Sequence, residues 1–438
     1  MIDRFLARTR YLTLISTFAF SSLGIAGCAD DSGGPVGAQD PAVVAGEGDP
    51  GTSEDPITQV NQTKVKRQSI GNCWLYATVG WVEAMHYNVG KEEINLSESY
   101  LTYWHWFDQI ANGGGASTEV STGGSWSTGA SLMDRYGVML EADFIPEEAQ
   151  AESSARQHDA LEAINLSLKS GALKDPAKRR DRAFVKAELS KAWRLSPAVI
   201  KNLDDAFGPK VSQTLTGTNP STRLGAIKKV TDISVSLRDP ADATKTVIKT
   251  LKDAIGSGGY YRSGAFTWQE LDYPQSPGTL RREFYKRVQR ALHDGQPVII
   301  SWFVDFNALT PSAQFSKAYL DGKGVGRQGG HMTLIDDYEA INVPTFGTLK
   351  AGVDATEEQK KAALDNATEI TFLRIKNSWG ASRPDRVPSS QLAGYYDLMA
   401  DYMAGPNKKC EEVGGTSDPK QCTAGGPAVW DVVLPAGY

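Results

Sequence analysis

The chain has 438 residues, of which 40% are apolar, so it can bury a sizeable core and form two or three domain-sized units, or one enzyme with a large insertion. The formal net charge is −6 and the basic residues do not cluster strongly, which argues against a nucleic-acid partner. The chain has four cysteines in three different sequence contexts, and each context is expected to correspond to a different role. The contexts are those of Cys28, of Cys73, and of the pair Cys410 and Cys422.

Residues 1–28 have the pattern of an export signal. Three arginines precede an apolar segment at 11–20, which is too short for a comfortable membrane span. The small residues directly before Cys28 resemble the lipobox of bacterial lipoproteins, which implies cleavage before Cys28 and attachment of lipid to it. The alternative is an ordinary signal peptide cleaved nearby. Ala29, rather than Asp, follows the cysteine, which favours the outer membrane if the cell has two membranes.

The rest of the chain divides by composition into four parts. Residues 29–60 are rich in Gly, Pro, Asp, Ser and Ala, cannot bury enough apolar surface to offset chain entropy, and are predicted to be a flexible tether. Residues 61–145 read as a compact helical lobe. Residues 146–290 are charged, mostly helical in pattern, and are predicted to be an insertion of unknown role. Residues 291–438 change to a strand pattern.

The helical lobe is organised around Cys73. This residue follows a Gly-Asn turn and precedes a mainly apolar stripe with helical spacing, formed by Leu75, Val79, Val82 and His86. A thiol at the first turn of a helix experiences the positive end of the helix dipole, which favours the nucleophilic thiolate. Because free cysteines are also common in protein cores, a packing role for Cys73 is the alternative.

Two further helices are predicted in this lobe. The second covers about 96–110, and Asn95 followed by Glu98 has the spacing of a capping box. The third covers 125–136 and ends at Gly137, because glycine readily takes the conformation needed after a helix.

The last part of the chain is predicted to be β-rich. Apolar or alternating runs predict strands at 297–304, 331–338, 369–376 and 394–398. A helical half followed by a β half is an α+β arrangement. Cys410 and Cys422 lie in a polar, Gly- and Pro-rich segment. In an exported protein, they are predicted to form a disulfide that closes a surface loop, because no other Cys or His lies close enough in sequence to complete a metal site.

Cysteine catalysis requires a base, and the chain offers five histidines. His86 is about 20 Å along the helix from Cys73, at 1.5 Å per residue, and cannot reach it. Three others lie in predicted helices with aromatic or charged surroundings, namely His105, His158 and His293. His331 differs because it follows two glycines and opens an apolar strand, so that its ring could project into a cleft. A purely structural histidine at a strand end is the alternative.

Three motifs in this order resemble those of papain-like cysteine peptidases: Gln68-x₄-Cys73-Trp, Gly-Gly-His331, and Lys-Asn377-Ser-Trp-Gly. The similarity covers 68–146 and about 295–398. Other segments look most like the bleomycin-hydrolase branch of the family, and they lie at 96–101, 123–126 and 135–138. The resemblance implies a two-lobed papain-like fold, with a helical N-terminal lobe, a β-sheet or barrel C-terminal lobe, and a large helical insertion.

The resemblance also implies a catalytic set. Cys73 would attack the substrate carbonyl as the thiolate of an ion pair, and His331 would be its imidazolium partner and then the general acid for the leaving amine. Asn377 would orient His331 by a hydrogen bond. Water would then hydrolyse the acyl-enzyme.

The remaining implied roles concern the substrate. The side-chain amide of Gln68 and the backbone N–H of Cys73 would form the oxyanion hole, although Gln68 lies five residues before the cysteine where the family usually shows six. On the substrate-binding side, Gly123 and Gly124 would let the substrate backbone approach closely. Trp379 would shield the bond between the histidine and the asparagine from water.

The lead hypothesis is therefore a thiol hydrolase that cleaves peptide bonds in a peptide or protein substrate, without a cofactor or metal, and that is held at the cell envelope by a lipid on Cys28. A transglutaminase-like acyl transferase on the same scaffold is one alternative, although Asn377 in place of Asp argues mildly against it. A surface-anchored protein that binds peptides with an impaired site is the other.

Overall fold

The structure, a computed structural model, describes residues 60–438 except for 113–117, 152, 216–223, 354, 382–392 and 414–415. The predicted export signal with Cys28 and almost all of the predicted tether lie outside the described residues. Within the described ranges, no helix is both long and apolar enough to cross a bilayer.

The described part of the chain contains α-helices at α1 (Cys73–Gly90), α2 (Glu98–Asn112), α3 (Trp126–Tyr136), α4 (Glu141–Phe144), α5 (Ala155–Lys169), α6 (Pro176–Arg179), α7 (Arg182–Ala192), α8 (Pro197–Phe207), α9 (Leu251–Ile255), α10 (Thr279–His293), α11 (Lys317–Lys323), α12 (Glu357–Ala362) and α13 (Ala400–Ala404). Its strands are β1 (Ser234–Asp239), β2 (Asp242–Thr250), β3 (Ser257–Gly258), β4 (Arg262–Ser263), β5 (Gln269–Asp272), β6 (Val298–Asp305), β7 (Gln314–Phe315), β8 (Gln328–Val343), β9 (Gly347–Leu349), β10 (Glu369–Lys376), β11 (Tyr395–Met399), β12 (Lys409–Val413), β13 (Thr416–Thr423) and β14 (Val429–Leu434).

The main sheet has the order β5-β14-β6-β8-β10-β11-β7, with β9 added to β8. Its central pairs are antiparallel, and the register places His331 of β8 opposite Trp302 of β6. On the other side, Lys376 at the end of β10 pairs with Leu334 of β8. Because neighbouring strands lie about 4.8 Å apart, the residue that follows β10 emerges close to the start of β8.

Helix α1 is the centre of the helical lobe. Every residue from Cys73 to Met85 is buried, including the polar Thr78 and Glu83, so burial extends beyond the predicted apolar stripe to the whole circumference of the helix. One side packs on the main sheet, where a Cβ added at Gly80 would lie 3.1 Å from Leu334. Another side packs on α3 through Gly129, whose position faces Thr78. The predicted start of this helix at Cys73 is confirmed.

The predicted capping box of the second helix is wrong. Helix α2 begins at Glu98, and the hydroxyl of Ser97 accepts the hydrogen bond from the N–H of Tyr100. Asn95 instead donates to the carbonyl of Ala149, and Glu98 forms an ion pair with Lys66 at 2.9 Å. The carboxylate is therefore used for a contact that is distant in sequence, which a local spacing does not reveal.

The stretch 146–290 is only partly the helical insertion that its charged composition predicts. It is helical as far as Phe207, but it then forms the antiparallel hairpin β1–β2 and the edge strand β5. Two apolar residues of β1, Val235 and Leu237, are buried in the same core as α1. The fold is α+β as predicted, although part of its β structure precedes the predicted boundary.

The end of the chain carries the predicted disulfide. Cys410 and Cys422 are bonded across the hairpin formed by β12 and β13. The backbone N–H of Cys410 donates to the side chain of Gln328, the first residue of β8, so this hairpin is attached to the strand that carries His331.

Candidate active site

Cys73 is the first residue of α1, where the positive end of the helix lies. Its side chain is buried. The nucleophile at this position is the thiolate form, which a helix N-terminus favours.

The structure brings His331 and Asn377 together. Nε2 of His331 lies 2.8 Å from Oδ1 of Asn377, and the same Oδ1 accepts the backbone N–H of Ser378 at 2.7 Å. Since an oxygen that already accepts a backbone N–H must be the carbonyl end of the amide, Nε2 of His331 must be the donor. In the neutral ring, Nδ1 is then an acceptor with its lone pair available.

The lone pair of Nδ1 is not used by any residue that the structure describes. This nitrogen is buried and has no hydrogen-bond partner among the described residues. Burial lowers the pKa of His331 to about 4, and the hydrogen bond to Asn377 opposes this shift. An anion beside Nδ1 would raise the pKa, because an opposite charge favours the imidazolium form.

Aromatic rings enclose the imidazole. The indole of Trp379 is stacked on it with ring centres 4.8 Å apart, and Trp302 meets it edge-on at 5.4 Å. Phe306 is stacked on Trp379 at 5.3 Å. Trp379 is only 2% exposed, so it lies against the histidine rather than on an open substrate-binding surface. Trp302 and Phe306 were not singled out in the sequence because they belong to or follow a run that reads as an ordinary buried strand.

Gln68 joins the loop before Cys73 to the residue after Asn377. Its backbone N–H donates to the carbonyl of Ser378 at 2.8 Å, and its side-chain Oε1 accepts from the hydroxyl of Ser378 at 2.6 Å. Nε2 donates one hydrogen to the carbonyl of Ile70 at 3.0 Å, and the amide has a second hydrogen. The short spacing between glutamine and cysteine is thus accommodated by a tight loop.

The strand-like segment before Gln68 is fixed by a buried ion cluster. Lys66 forms ion pairs with Glu83 of α1 and Glu98 of α2, at 3.0 and 2.9 Å. The hydroxyl of Thr63 donates to Glu83 and accepts from Lys376 of β10. The segment before the candidate oxyanion-hole glutamine is therefore bonded to the helical lobe through Lys66 and to the sheet through Thr63.

The glycine pair lies beside the residue that follows Cys73. The indole N–H of Trp74 donates to the carbonyl of Thr122 at 2.8 Å, and a Cβ at Gly124 would lie 2.5 Å from the Trp74 ring. His105 of α2 donates from Nε2 to the carbonyl of Gly123 at 3.1 Å. Burial lowers the pKa of His105 to about 4, so the ring is neutral and acts as a support for this loop.

The other histidines are elsewhere. His86 contacts the carbonyl of Ser234 through Nδ1, and His293 contacts the hydroxyl of Tyr338. His158 lies on the surface of α5 beside Glu162. Among the described residues, no group of three or more His, Cys, Asp or Glu side chains is arranged to hold a metal ion.

No protein-family model matches the chain. In sequence, the chain is 26% identical over 122 residues to aminopeptidase C of Lactococcus lactis subsp. cremoris, and this match covers 24% of the chain and 26% of that protein. The chain thus spans about a quarter of the length of this relative.

Several solved structures are similar to the chain. PepW from Lactobacillus rhamnosis HN001 has a TM-score of 0.41 at 13% identity, covering 86% of this chain and 81% of that one. Xylellain, a cysteine protease from Xylella fastidiosa, has a TM-score of 0.32 at 13% identity, covering 87% and 85%. The recombinant stem bromelain precursor has a TM-score of 0.30 at 12% identity, covering 94% and 77%.

Proposed function

We propose that this protein is a papain-like cysteine peptidase that hydrolyses peptide bonds through a thioester acyl-enzyme. The observation that carries the proposal is the state of His331. Its Nε2 is fixed as a donor to Asn377, which leaves Nδ1 as a buried acceptor without a hydrogen-bond partner among the described residues. A base that is oriented by one nitrogen and available at the other is what a cysteine nucleophile requires.

The proposed acylation step uses Cys73, His331 and Gln68. Nδ1 of His331 takes the proton of the reduced Cys73 thiol, and the sulfur attacks the carbonyl carbon of the substrate. The backbone N–H of Cys73 and the second amide hydrogen of Gln68 stabilise the resulting oxyanion, where one such donor contributes about 2.7–4 kcal/mol. The imidazolium returns its proton to the leaving amine as the C–N bond breaks, which leaves a thioester on the sulfur.

Deacylation uses the same base. Nδ1 accepts a proton from a water molecule while the water oxygen attacks the thioester carbonyl. The C–S bond breaks, the acid product leaves, and the sulfur recovers the proton from His331. The stacked indole of Trp379 keeps solvent from the hydrogen bond between the imidazole and Asn377 throughout the cycle.

The proposal is tested on the reduced protein. A peptide library and a thiol-directed epoxide are each added to the wild type, Cys73→Ala and His331→Ala, and the labelled cysteine is identified by peptide mass spectrometry. We expect cleavage only by the wild type, labelling at Cys73, and a large loss of labelling rate in His331→Ala. If Cys73 in the wild type reacts no faster than a model thiol, the protein is not a cysteine peptidase.

The same preparation separates hydrolysis from acyl transfer. Peptide products are analysed with and without an added primary amine, and free carboxylic acid is expected to remain the main product. If the amide formed with the added amine dominates instead, the transglutaminase-like alternative replaces the peptidase. Peptide binding without any turnover would support the alternative of an impaired, peptide-binding surface protein.

We also propose that the protein is an exported lipoprotein anchored through Cys28. The proposal is supported by the arginines, the short apolar segment and the small residues that precede this cysteine. Metabolic labelling with a fatty-acid analogue should mark the wild type but not Cys28→Ser. Equal labelling of the two would remove Cys28 as the lipid site.

A further inference from the structure

Asn72 occupies the N-cap position of α1, yet its side chain does not cap the helix. Asparagine is among the preferred N-cap residues because its side-chain oxygen can accept an N–H of the first turn. Here the amide is turned away. Its Nδ2 donates to Oε1 of Gln157 at 3.0 Å and to Oγ1 of Thr102 at 3.1 Å, and Asn72 is only 1% exposed.

The direction of the bond from Asn72 to Gln157 is set by a chain of donors. Nε2 of Gln157 donates to Oγ of Ser99 at 3.0 Å, and this hydroxyl donates to Oγ of Ser154 at 3.2 Å. The hydroxyl of Ser154 in turn donates to the carboxyl group of Glu148 at 2.5 Å. Because the chain ends at an acceptor, Gln157 must present Oε1, and not Nε2, to Asn72.

The second partner of Asn72 is oriented in the same way. The hydroxyl of Thr102 donates to the backbone carbonyl of Glu98 at 2.8 Å, so its oxygen accepts from Asn72. Both hydrogens of Nδ2 are thereby engaged. Oδ1 of Asn72 is buried and has no hydrogen-bond partner among the described residues. An unused acceptor at a helix N-terminus is unusual, because the side chain of an N-cap asparagine commonly accepts an N–H of the first turn. The backbone of Asn72, with φ −116° and ψ 32°, lies outside the extended region of a capping residue, so its side chain caps the helix only when this backbone turns as well.

We infer that Gln157 is a positioning residue that keeps the amide oxygen of Asn72 away from the first turn of α1. The helix N-terminus then acts on the sulfur of the next residue, Cys73, and on the charge that develops in the substrate, rather than on a capping oxygen. The inference rests on the proposed function for its effect on turnover. Gln157 lies in α5, so by this inference the stretch 146–290 contributes a positioning residue to the active site.

Two effects are expected when Gln157→Ala removes the acceptor. Without Oε1 of Gln157 to hold its amide, Asn72 can turn to extended backbone and cap α1. The Cys73 thiolate then loses part of its stabilisation, and we expect its pKa to rise by about 0.5–1 unit, the range of a helix-terminus interaction. Alkylation of the fully reduced protein at pH 6 should slow about three- to tenfold, with Cys73 identified by mass spectrometry. The value of kcat should fall by a similar factor, while KM stays within about twofold.

A double-mutant cycle separates this role from a structural one. Asn72→Ala has no side-chain oxygen that could cap the helix. The double variant with Gln157→Ala should therefore show the same pH profile of Cys73 alkylation as Asn72→Ala alone. Glu162→Ala, an exposed change in the same helix, should match the wild type in all measurements. Circular dichroism and Tm are recorded for each variant, and Gln157→Leu replaces Gln157→Ala if the smaller side chain prevents folding.

The inference is overturned if Gln157→Ala or Gln157→Leu leaves the pH profile of Cys73 alkylation unchanged, or if its effect persists in full on the Asn72→Ala background. If the protein is not a peptidase, the same experiments give a different set of results from those that overturn the inference. In that case the wild type cleaves no peptide, but the shift in alkylation between the wild type and the Gln157 variants, and its loss on the Asn72→Ala background, are still observed.

Discussion

Gly124 lies so close to the indole of Trp74 that a larger residue fits only if the loop or the ring moves. A Cβ at this position would be 2.5 Å from the ring, well inside van der Waals contact. The same indole donates its N–H to the carbonyl of Thr122, so the glycine loop and the start of α1 are locked to each other from two sides. Any substrate placed by this loop is therefore placed relative to Cys73.

Gly124→Ala should disturb catalysis more than folding. The added methyl group must push the loop or the Trp74 ring aside, at a cost of about 1–3 kcal/mol in the free energy of unfolding. A displacement of about 1 Å at a substrate-positioning element can reduce kcat/KM by as much as a hundredfold. Steady-state kinetics and thermal unfolding are measured beside Gly90→Ala, since a Cβ at Gly90 would meet nothing within 4 Å. If both variants match the wild type, the loop does not position substrate.

Asn377→Ala should lower kcat less than loss of the nucleophile or the base does. The variant removes the acceptor for His331 Nε2 and for the backbone N–H of Ser378. The imidazole then loses its preferred orientation but keeps Nδ1, and we expect kcat to fall about a hundredfold. The kcat of Cys73→Ala and of His331→Ala should fall to the background rate. Asn366→Ala, which removes an exposed side chain that accepts from Lys286, serves as the control. Equal losses from all three site variants would contradict a purely orienting role.

The charge of His331 should depend on the sulfur of Cys73. In Cys73→Ala, burial and the single bond to Asn377 should hold its pKa near 4, so the ring stays neutral from pH 8 down to about pH 5. In the reduced wild type, a thiolate facing Nδ1 should raise the pKa, and the imidazolium should persist to higher pH. Assigned NMR signals of the ring followed against pH measure both values. Identical titrations of the two proteins would show that no ion pair forms.

The contact between His331 and Asn377 is expected from the resemblance of their motifs, and the structure has the two side chains 2.8 Å apart. Once β8 and β10 pair, their ends bring the two side chains together. The disulfide between Cys410 and Cys422 was predictable for a similar reason, since the composition of the segment and the export signal point the same way. Local sequence patterns are sufficient to predict a contact where the chemically distinctive residue also lies in or beside a recognisable strand or loop.

The network around Asn72 could not be predicted. Gln157 is 85 residues from its partner and lies in a charged helix with no motif around it. The hairpin β1–β2 was missed because Lys, Asp and Thr dominate its composition, although Val235 and Leu237 alternate as a half-buried strand requires. In both cases a tertiary contact, not a local preference, decides what the residue does.

A second pH effect should arise far from the candidate site, at Asp431 of β14. The register places this residue directly opposite Asp272 of β5, and Glu270 lies two residues away on the same strand. Like charges opposite each other destabilise a strand pair. Burial raises the pKa of Asp431 to about 7, the two neighbouring carboxylates add to this shift, and a hydrogen bond from Ser301 opposes it.

The sign of the effect follows from the raised pKa. The folded protein gives up the Asp431 proton less readily than the unfolded chain, so this group reduces the free energy of unfolding as pH rises from about 4 to about 7. Asp431→Asn has no proton to lose, and its Tm should exceed that of the wild type by a margin that grows over this interval and is constant above pH 7. Thermal unfolding of both proteins from pH 4 to 8 measures the margin, with the exposed change Asp321→Asn as the control. A margin that does not vary with pH would mean that Asp431 is already ionised in the folded protein at pH 4.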